Sequence, residues 1–187
     1  MRIISGIFKG KKIEQPKDKL TRPLKDLTKE SIFNIIKHSN LLKVKIENSK
    51  ILDLFSGVGS FGLESLSRGA SYIYFYENYQ NALKILKKNI ENLKFTEQTS
   101  VIDADIFNKA NFLKLGEKFE IIFMDPPFKE KKIFNLIENI IELNLLKKDG
   151  IIIIHRHKIK KEKFPGKFKI LLEKNYGISK IIFGTYT

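Results

Sequence analysis

From residue 50 onward the chain alternates short apolar runs with longer segments whose apolar side chains recur every three or four positions. The runs at 50–55, 72–76, 100–103, 119–124 and 150–155 are β-prone, and the last holds four consecutive isoleucines, Ile151 to Ile154. Such runs suit strands covered on both faces. Helical spacing predicts helices over 60–68, 80–93 and 131–143, with a poorly defined one near 106–115. Strands alternating with helices imply a mainly parallel α/β sheet with helices on both sides. Two further β-rich runs, 167–175 and 178–186, flank Asn175-Tyr176-Gly177 and predict an antiparallel hairpin. Upstream, residues 2–15 read as a short β segment turning at Gly10-Lys11-Lys12, and a polar loop joins Pro16 to Pro23. Leu27, Ile32, Phe33, Ile35 and Ile36 then predict an amphipathic helix over 25–38.

In a parallel sheet of this kind ligands bind beyond the carboxyl ends of the strands, and the polar motifs of this chain fall there. The first strand runs through Asp53 and Phe55 into Gly57, Gly59 and Gly62, the spacing G-x-G-x-x-G. Glycines so placed let backbone approach a ligand and helix pack close to strand, for nicotinamide, flavin or S-adenosylmethionine alike. Asp53 separates these cofactors. A pyrophosphate is best met by bare N–H groups at a helix N-terminus, and a carboxylate beside it would oppose binding. S-adenosylmethionine presents an ammonium and a sulfonium, which an acid helps to hold. Glu77, with Asn78 beside it, ends the second strand 20 residues after Gly57, where an acid can take ribose hydroxyls. Asp105 follows the third strand and can accept from an adenine amine, with Ile106 packing on the ring.

The fourth strand ends in Asp125-Pro126-Pro127-Phe128. Two prolines can neither continue a central strand nor enter a helix interior, so the chain must leave in an extended turn. That turn offers a carboxylate, carbonyls and an aromatic face, a set suited to gripping a flat base and accepting hydrogen bonds from its exocyclic amine. Asp125 and the Pro126 carbonyl are the expected acceptors, and Phe128 the stacking ring.

Composition narrows the class. The 187 residues fit one domain with a sizeable core, and 42% hydrophobic content argues against wholesale disorder. There are no cysteines and three histidines, so thiolate chemistry is excluded and a metal site is not expected. No run reaches the length of a membrane span and residues 1–6 lack a secretory apolar stretch, so a soluble cytoplasmic protein is expected. The net charge of +14 is uneven: residues 1–50 carry 13 basic and 5 acidic groups, 51–150 carry 13 and 14, and 151–187 carry 9 and 2. Basic ends around a neutral centre predict a phosphate-binding surface, with Lys9, Lys11, Lys12, Arg22, Lys25 and Lys29 as its contacts.

With these motifs in place, the chain resembles the RsmD family of class I methyltransferases, bacterial guanine-N2 methyltransferases of 16S ribosomal RNA. Arg2-Ile3-Ile4-Ser5-Gly6, Lys9-Gly10-Lys11-Lys12-Ile13 and Thr21-Arg22-Pro23 carry the likeness at the N-terminus. Lys29-Glu30-Ser31-Ile32-Phe33-Asn34, the block from Asp53 to Ala70, and Asp125-Pro126-Pro127-Phe128 continue it. His155-Arg156-His157 departs from the pattern, since an acid is usual there. The resemblance implies a Rossmann-like fold with a mostly parallel seven-stranded sheet, a C-terminal antiparallel hairpin and a small N-terminal β/helix extension. It implies a basic RNA-contacting extension over 1–40 and an S-adenosylmethionine-dependent domain over 41–187. The expected partner is 16S ribosomal RNA within a small subunit or its assembly intermediate, met by a monomer. Adenine-N6 methylation of DNA or RNA, a nicotinamide dehydrogenase and a non-catalytic RNA-binding assembly factor are the competing readings. The dehydrogenase leaves Asp53 and Asp125 unexplained.

Overall fold

A computed structural model describes residues 1–16 and 24–186. Its strands are β1 (Lys50–Leu54), β2 (Tyr72–Tyr76), β3 (Thr99–Ile102), β4 (Phe119–Met124), β5 (Leu146–His157), β6 (Phe168–Tyr176) and β7 (Ser179–Tyr186). Its helices are α1 (Asp26–His38), α2 (Ser60–Ser67), α3 (Gln80–Asn92), α4 (Ala110–Leu113) and α5 (Ile133–Glu142). The strands form one seven-stranded sheet in the order β3-β2-β1-β4-β5-β7-β6. β1 to β5 run parallel, and β7 lies antiparallel between β5 and β6. This is the Rossmann-like sheet with a terminal hairpin that the alternating pattern implied. Strand order reverses between β1 and β4, where two loops diverge and leave a crevice.

Alternation along the strands builds two cores. Ile51, Ile121, Phe123, Ile151 and Ile153 face α1, α2 and α3, whereas Leu52, Ile122, Met124, Ile152 and Ile154 face α4 and α5. Both faces are dry, which is why these strands read as continuous apolar runs. Among the described residues no helix is long and apolar enough to cross a membrane.

Two elements differ from their sequence expectation. The helix expected near 106–115 shrinks to Ala110–Leu113. Asp105 Oδ1 accepts from Phe107 N at 2.9 Å and Asn108 Oδ1 from Ala110 N at 3.1 Å, and such local bonds compete with a helical ladder. β5 begins earlier than expected, at Leu146, because polar Lys147-Lys148-Asp149 continues the strand past a register shift opposite Phe119 and Ile121. Leu27 also lies off the buried stripe of α1 and is 69% exposed.

The first residues are fastened to α2 and α3 rather than trailing from them. Ile3, Ile13, Leu24, Ile32 and Phe33 belong to the same core as Ile51 and Ile73. Glu64, fully buried on α2, accepts from Ile4 N at 2.7 Å and Ser5 N at 3.0 Å. It also pairs with Lys29 Nζ at 3.3 Å and Arg68 Nε at 2.7 Å. Asn89 on α3 accepts from Glu14 N and donates to the carbonyls of Glu14 and Val58. Gly6 sits at φ +86°, and a Cβ there would stand 1.7 Å from the Ser67 carbonyl oxygen.

Lys29 therefore corrects the expectation of a phosphate contact. Its side chain is fully buried, and its ammonium meets Glu64 and donates to the Arg2 carbonyl at 2.7 Å. Burial pushes its pKa below the usual lysine range, with Glu64 opposing. It serves the joint between α1 and α2. Arg22 lies outside the described residues. Lys9, Lys11, Lys12 and Lys25 are exposed.

Removing the shared acid tests this joint. Glu64→Ala leaves two cations and two backbone amides without their acceptor, so a loss of about 3–5 kcal/mol is expected. In a chain of this size that corresponds to a thermal midpoint lower by roughly 6–20 °C. A midpoint within about 2 °C of wild type would show that the N-terminal segment is not held through Glu64.

Candidate active site

The crevice at the switch point is a cavity of about 830 Å³, within the range of small-molecule and cofactor sites. Asp53, Phe55, Gly57, Glu77, Asn78, Asp105 and Ile106 line it, together with all of Asp125, Pro126, Pro127 and Phe128. The ends of β1, β2 and β4 and the loop after β3 thus open onto one space. Of the residues expected to hold a cofactor, Gly59 alone is missing from the wall. It packs beneath, where a Cβ would lie 2.5 Å from Leu86 Cδ1.

The turn from β1 into α2 is conformationally demanding. Phe55 takes φ 59° and Gly57 φ 55°, the left-handed region that costs a bulky residue most. Phe55 is held there with its ring edge-on to Phe107, centroids 6.0 Å apart. No heavy atom lies within 4 Å of where a Gly57 Cβ would be, so the backbone is open to a ligand on that side.

Each acid has a distinct environment. Asp53 is 1% exposed, and its Oδ2 accepts from Gly62 N at 3.0 Å. Burial pushes its carboxyl well above the usual range, the Gly62 hydrogen bond opposes this, and the nearby Asp125 and Glu77 add to it. Glu77 accepts from Gly57 N at 2.7 Å and Tyr79 N at 2.8 Å, so it braces the first glycine turn from the neighbouring strand. Asp105 is exposed and closes its own turn through Phe107 N. Among the described residues, Asp53 Oδ1 and Ser60 Oγ are the buried side-chain polar atoms with no hydrogen-bond partner, and both residues line this cavity. A buried acceptor costs stability unless it is met, so this corner suits a ligand that carries donors or positive charge. Those are the properties of the amino-acid end of S-adenosylmethionine.

The Asp-Pro-Pro-Phe turn is braced from β5. His155, at 2% exposure, places Nδ1 2.8 Å from Asp125 Oδ1 and Nε2 2.8 Å from Ser179 Oγ. The chain of bonds is satisfied when Ser179 donates to Nε2 and Nδ1–H donates to the carboxylate. Arg156, 1% exposed, donates from Nη1 to the Pro127 carbonyl at 3.0 Å and from Nη2 to the Glu130 carbonyl at 2.9 Å. Its Nε donates to Glu162 Oε1 at 2.6 Å. The Pro127 carbonyl also accepts from Glu130 N at 2.9 Å. Among the described residues none donates to the Pro126 carbonyl. The half-exposed Phe128 ring lies edge-on to His155 and His157, with centroids 6.0 and 5.0 Å away.

Sequence reasoning assigns no role to four residues here, Ser60, His155, Arg156 and Ser179, although it marks His155 and Arg156 as a departure from the family pattern. A polar His-Arg pair directly after four isoleucines marked a strand end turning into the cleft, a usable signal. Ser179 carried none, because it comes near His155 only through the antiparallel pairing of β5 with β7. Conversely, Lys9, Lys11, Lys12 and Lys25 do not reach the cavity wall, to which, among the described residues, the N-terminal side contributes Met1, Gln15, Pro16 and Leu24.

Similarity to known proteins follows the same outline. Residues 1–185 match the family described as Conserved hypothetical protein 95. Ribosomal RNA small subunit methyltransferase D of Haemophilus influenzae is 36% identical over 186 residues, covering 95% of this chain and 90% of the relative. The protein of the same name from Buchnera aphidicola (subspecies Baizongia pistaciae) is 33% identical over 187 residues, 100% of this chain and 91% of the relative. Among solved structures, yhhF of Escherichia coli superposes with a TM-score of 0.83 at 24% identity, covering 100% of this chain and 97% of its own. HI0767 of Haemophilus influenzae gives 0.77 at 31%, with 98% and 97% covered. By motif, fold and extent of match, this chain belongs to the Conserved hypothetical protein 95 family, alongside the small-subunit ribosomal RNA methyltransferases D.

Proposed function

We propose that this protein is an S-adenosylmethionine-dependent methyltransferase acting on the exocyclic N2 amine of a guanine in 16S ribosomal RNA, within a small subunit or an assembly intermediate of it. One observation carries the reading: a single cavity is lined both by a buried, half-satisfied carboxylate, Asp53, and by the turn that carries the Asp125 carboxylate and the Pro126 carbonyl. The names of the relatives support RNA of the small subunit as the substrate. Every group invoked comes from one chain, so a monomer suffices.

S-adenosylmethionine, when bound, supplies a methyl group made electrophilic by its sulfonium. Asp53 and Ser60 suit its amino-acid end, Glu77 and Asn78 its ribose, and Asp105 and Ile106 its adenine. Gly57 leaves backbone bare beside them. On the substrate side, an exocyclic amine is a weak nucleophile because its lone pair is delocalised into the ring. The Asp125 carboxylate and Pro126 carbonyl accept the two amine hydrogens and favour a nitrogen with a localised lone pair. As positive charge grows on that nitrogen, fixed acceptors stabilise it without reorganising. Orientation supplies much of the remainder.

His155 and Arg156 act on the substrate through the turn. His155 holds one carboxylate oxygen, and Arg156 holds the Pro127 carbonyl and so fixes the bend. Phe128 stacks on the base, worth about 1–3 kcal/mol by comparison with other base-stacking sites. A base paired or stacked in RNA must be turned out to reach it, at a cost of a few kcal/mol.

Asp125→Ala is expected to lower kcat for methyl transfer to 16S ribosomal RNA by about 10²-fold or more, with cofactor affinity nearly unchanged. Turnover within a few-fold of wild type would remove Asp125 from the chemistry. A second expectation concerns pH. Burial raises the Asp53 carboxyl above its ordinary range and so favours its protonated form, whereas a cationic ligand favours the ionised form. Cofactor binding should therefore release a proton and tighten as pH rises through the raised range of that carboxyl. Calorimetry in buffers of different ionisation heat measures that release directly. Asp53→Asn should bind more weakly and lose the pH dependence; proton release that persists in this variant would reassign the effect.

A further inference from the structure

Besides the N-terminal lysines, a second exposed cationic segment follows β5 and is tied through Arg156 to the Asp-Pro-Pro-Phe turn. β5 ends at His157 and is followed by Lys158-Ile159-Lys160-Lys161-Glu162-Lys163, four lysines in six residues, all four exposed. The loop is held in shape. Lys158 N donates to the Ile178 carbonyl at 2.9 Å, Lys160 N to the His157 carbonyl at 2.9 Å, and Lys180 Nζ to the Lys160 carbonyl at 2.8 Å. Its one acid, Glu162, is turned inward onto the guanidinium of Arg156. The outward face therefore carries the four lysines together with the exposed Ile159.

The turn after Phe128 has the same construction. Lys129 and Lys131 are exposed, while the intervening Glu130 spends its carboxylate on the backbone amides of Lys131 and Lys132, at 2.8 and 2.7 Å. Lys132 extends over the Phe107 ring, 5.3 Å from its centroid. Arg156 ties these loops together, since one guanidinium reaches Glu162 in the first and the carbonyls of Pro127 and Glu130 in the second. Glu162 is neutralised by Arg156 and Glu130 is turned back onto backbone amides, so the lysines of the two loops outnumber the remaining acid beside the stacking ring.

We propose that the 158–163 loop and the 129–131 turn form a phosphate-binding rim that grips the RNA backbone flanking the target nucleotide. Arg156 keeps the rim in register with the amine-binding turn. The inference rests on RNA being the substrate, as proposed above. It transfers the main electrostatic contact from the N-terminal lysines to the mouth of the cleft, where phosphate contacts set the position of the base rather than its identity.

The test compares wild type, a rim variant (K158Q/K160Q/K161Q/K163Q) and an α3 variant (K84Q/K87Q) for binding to unmodified 16S ribosomal RNA across a salt series. Thermal midpoint and S-adenosylmethionine affinity are measured on each. The rim variant is expected to keep both of those values while the slope of log K against log salt falls by roughly 3, at 0.7–0.9 for each lost phosphate contact. The α3 variant should keep the wild-type slope. A rim variant with an unaltered slope, or one no different from the α3 variant, overturns the proposal, as does wild-type protein that fails to bind the RNA. Absence of S-adenosylmethionine binding in wild type would instead sink the enzymatic reading, and the salt slopes would still decide the rim.

Discussion

The central position of β1 is the constraint on which the site depends. Asp53 is paired in register with Phe75 on one side and Phe123 on the other, so the strand cannot slide without unpacking both cores. With its neighbours parallel, the chain must leave each of them at the same edge of the sheet. The glycine turn, the Glu77 turn and the Asp-Pro-Pro-Phe turn are therefore delivered to one crevice. Stacking of Phe61 on Phe123, centroids 4.0 Å apart, and of Phe33 on Phe61 at 5.1 Å locks α2 and α1 onto that centre. A slip of one residue would turn Asp53 to the opposite face, into the core that Leu52 and Leu54 now fill.

Around this centre the protein uses buried charge to hold irregular backbone in place. Glu64 gathers two cations and two amides and so fastens the first residues to α2. Arg156 does the converse on the other side, using a buried cation to gather two carbonyls and a carboxylate. Each is satisfied through several bonds, the condition under which a buried charge specifies structure rather than weakening it. Asp53 is the contrast. It is equally buried but only half-satisfied, which separates a group built for a ligand from groups built for the fold.

Much of this was legible in the chain. Strands dry on both faces leave an unbroken apolar signature, so the first five were found within a few residues, and the acids at their ends identified the cleft. The 106–115 segment misled because Asp105 and Asn108 offer their amides local acceptors, which periodicity does not register. Lys29 was read as surface although it shares the i, i+3, i+4, i+7 stripe with Ile32, Phe33 and Ile36, and its position on that stripe was the better guide. The bracing of the Asp-Pro-Pro-Phe turn was hidden for a different reason. It joins residues near 125, 155 and 179, and only the β4-β5-β7 order brings them together.

The most direct measurement is a crystal structure of the protein with S-adenosylhomocysteine. The account predicts the amino-acid end of the ligand at Asp53 and Ser60, its ribose at Glu77, and its sulfur directed at the space before Asp125 and the Pro126 carbonyl. A ligand seated outside this crevice, or one whose sulfur points away from that turn, would contradict it.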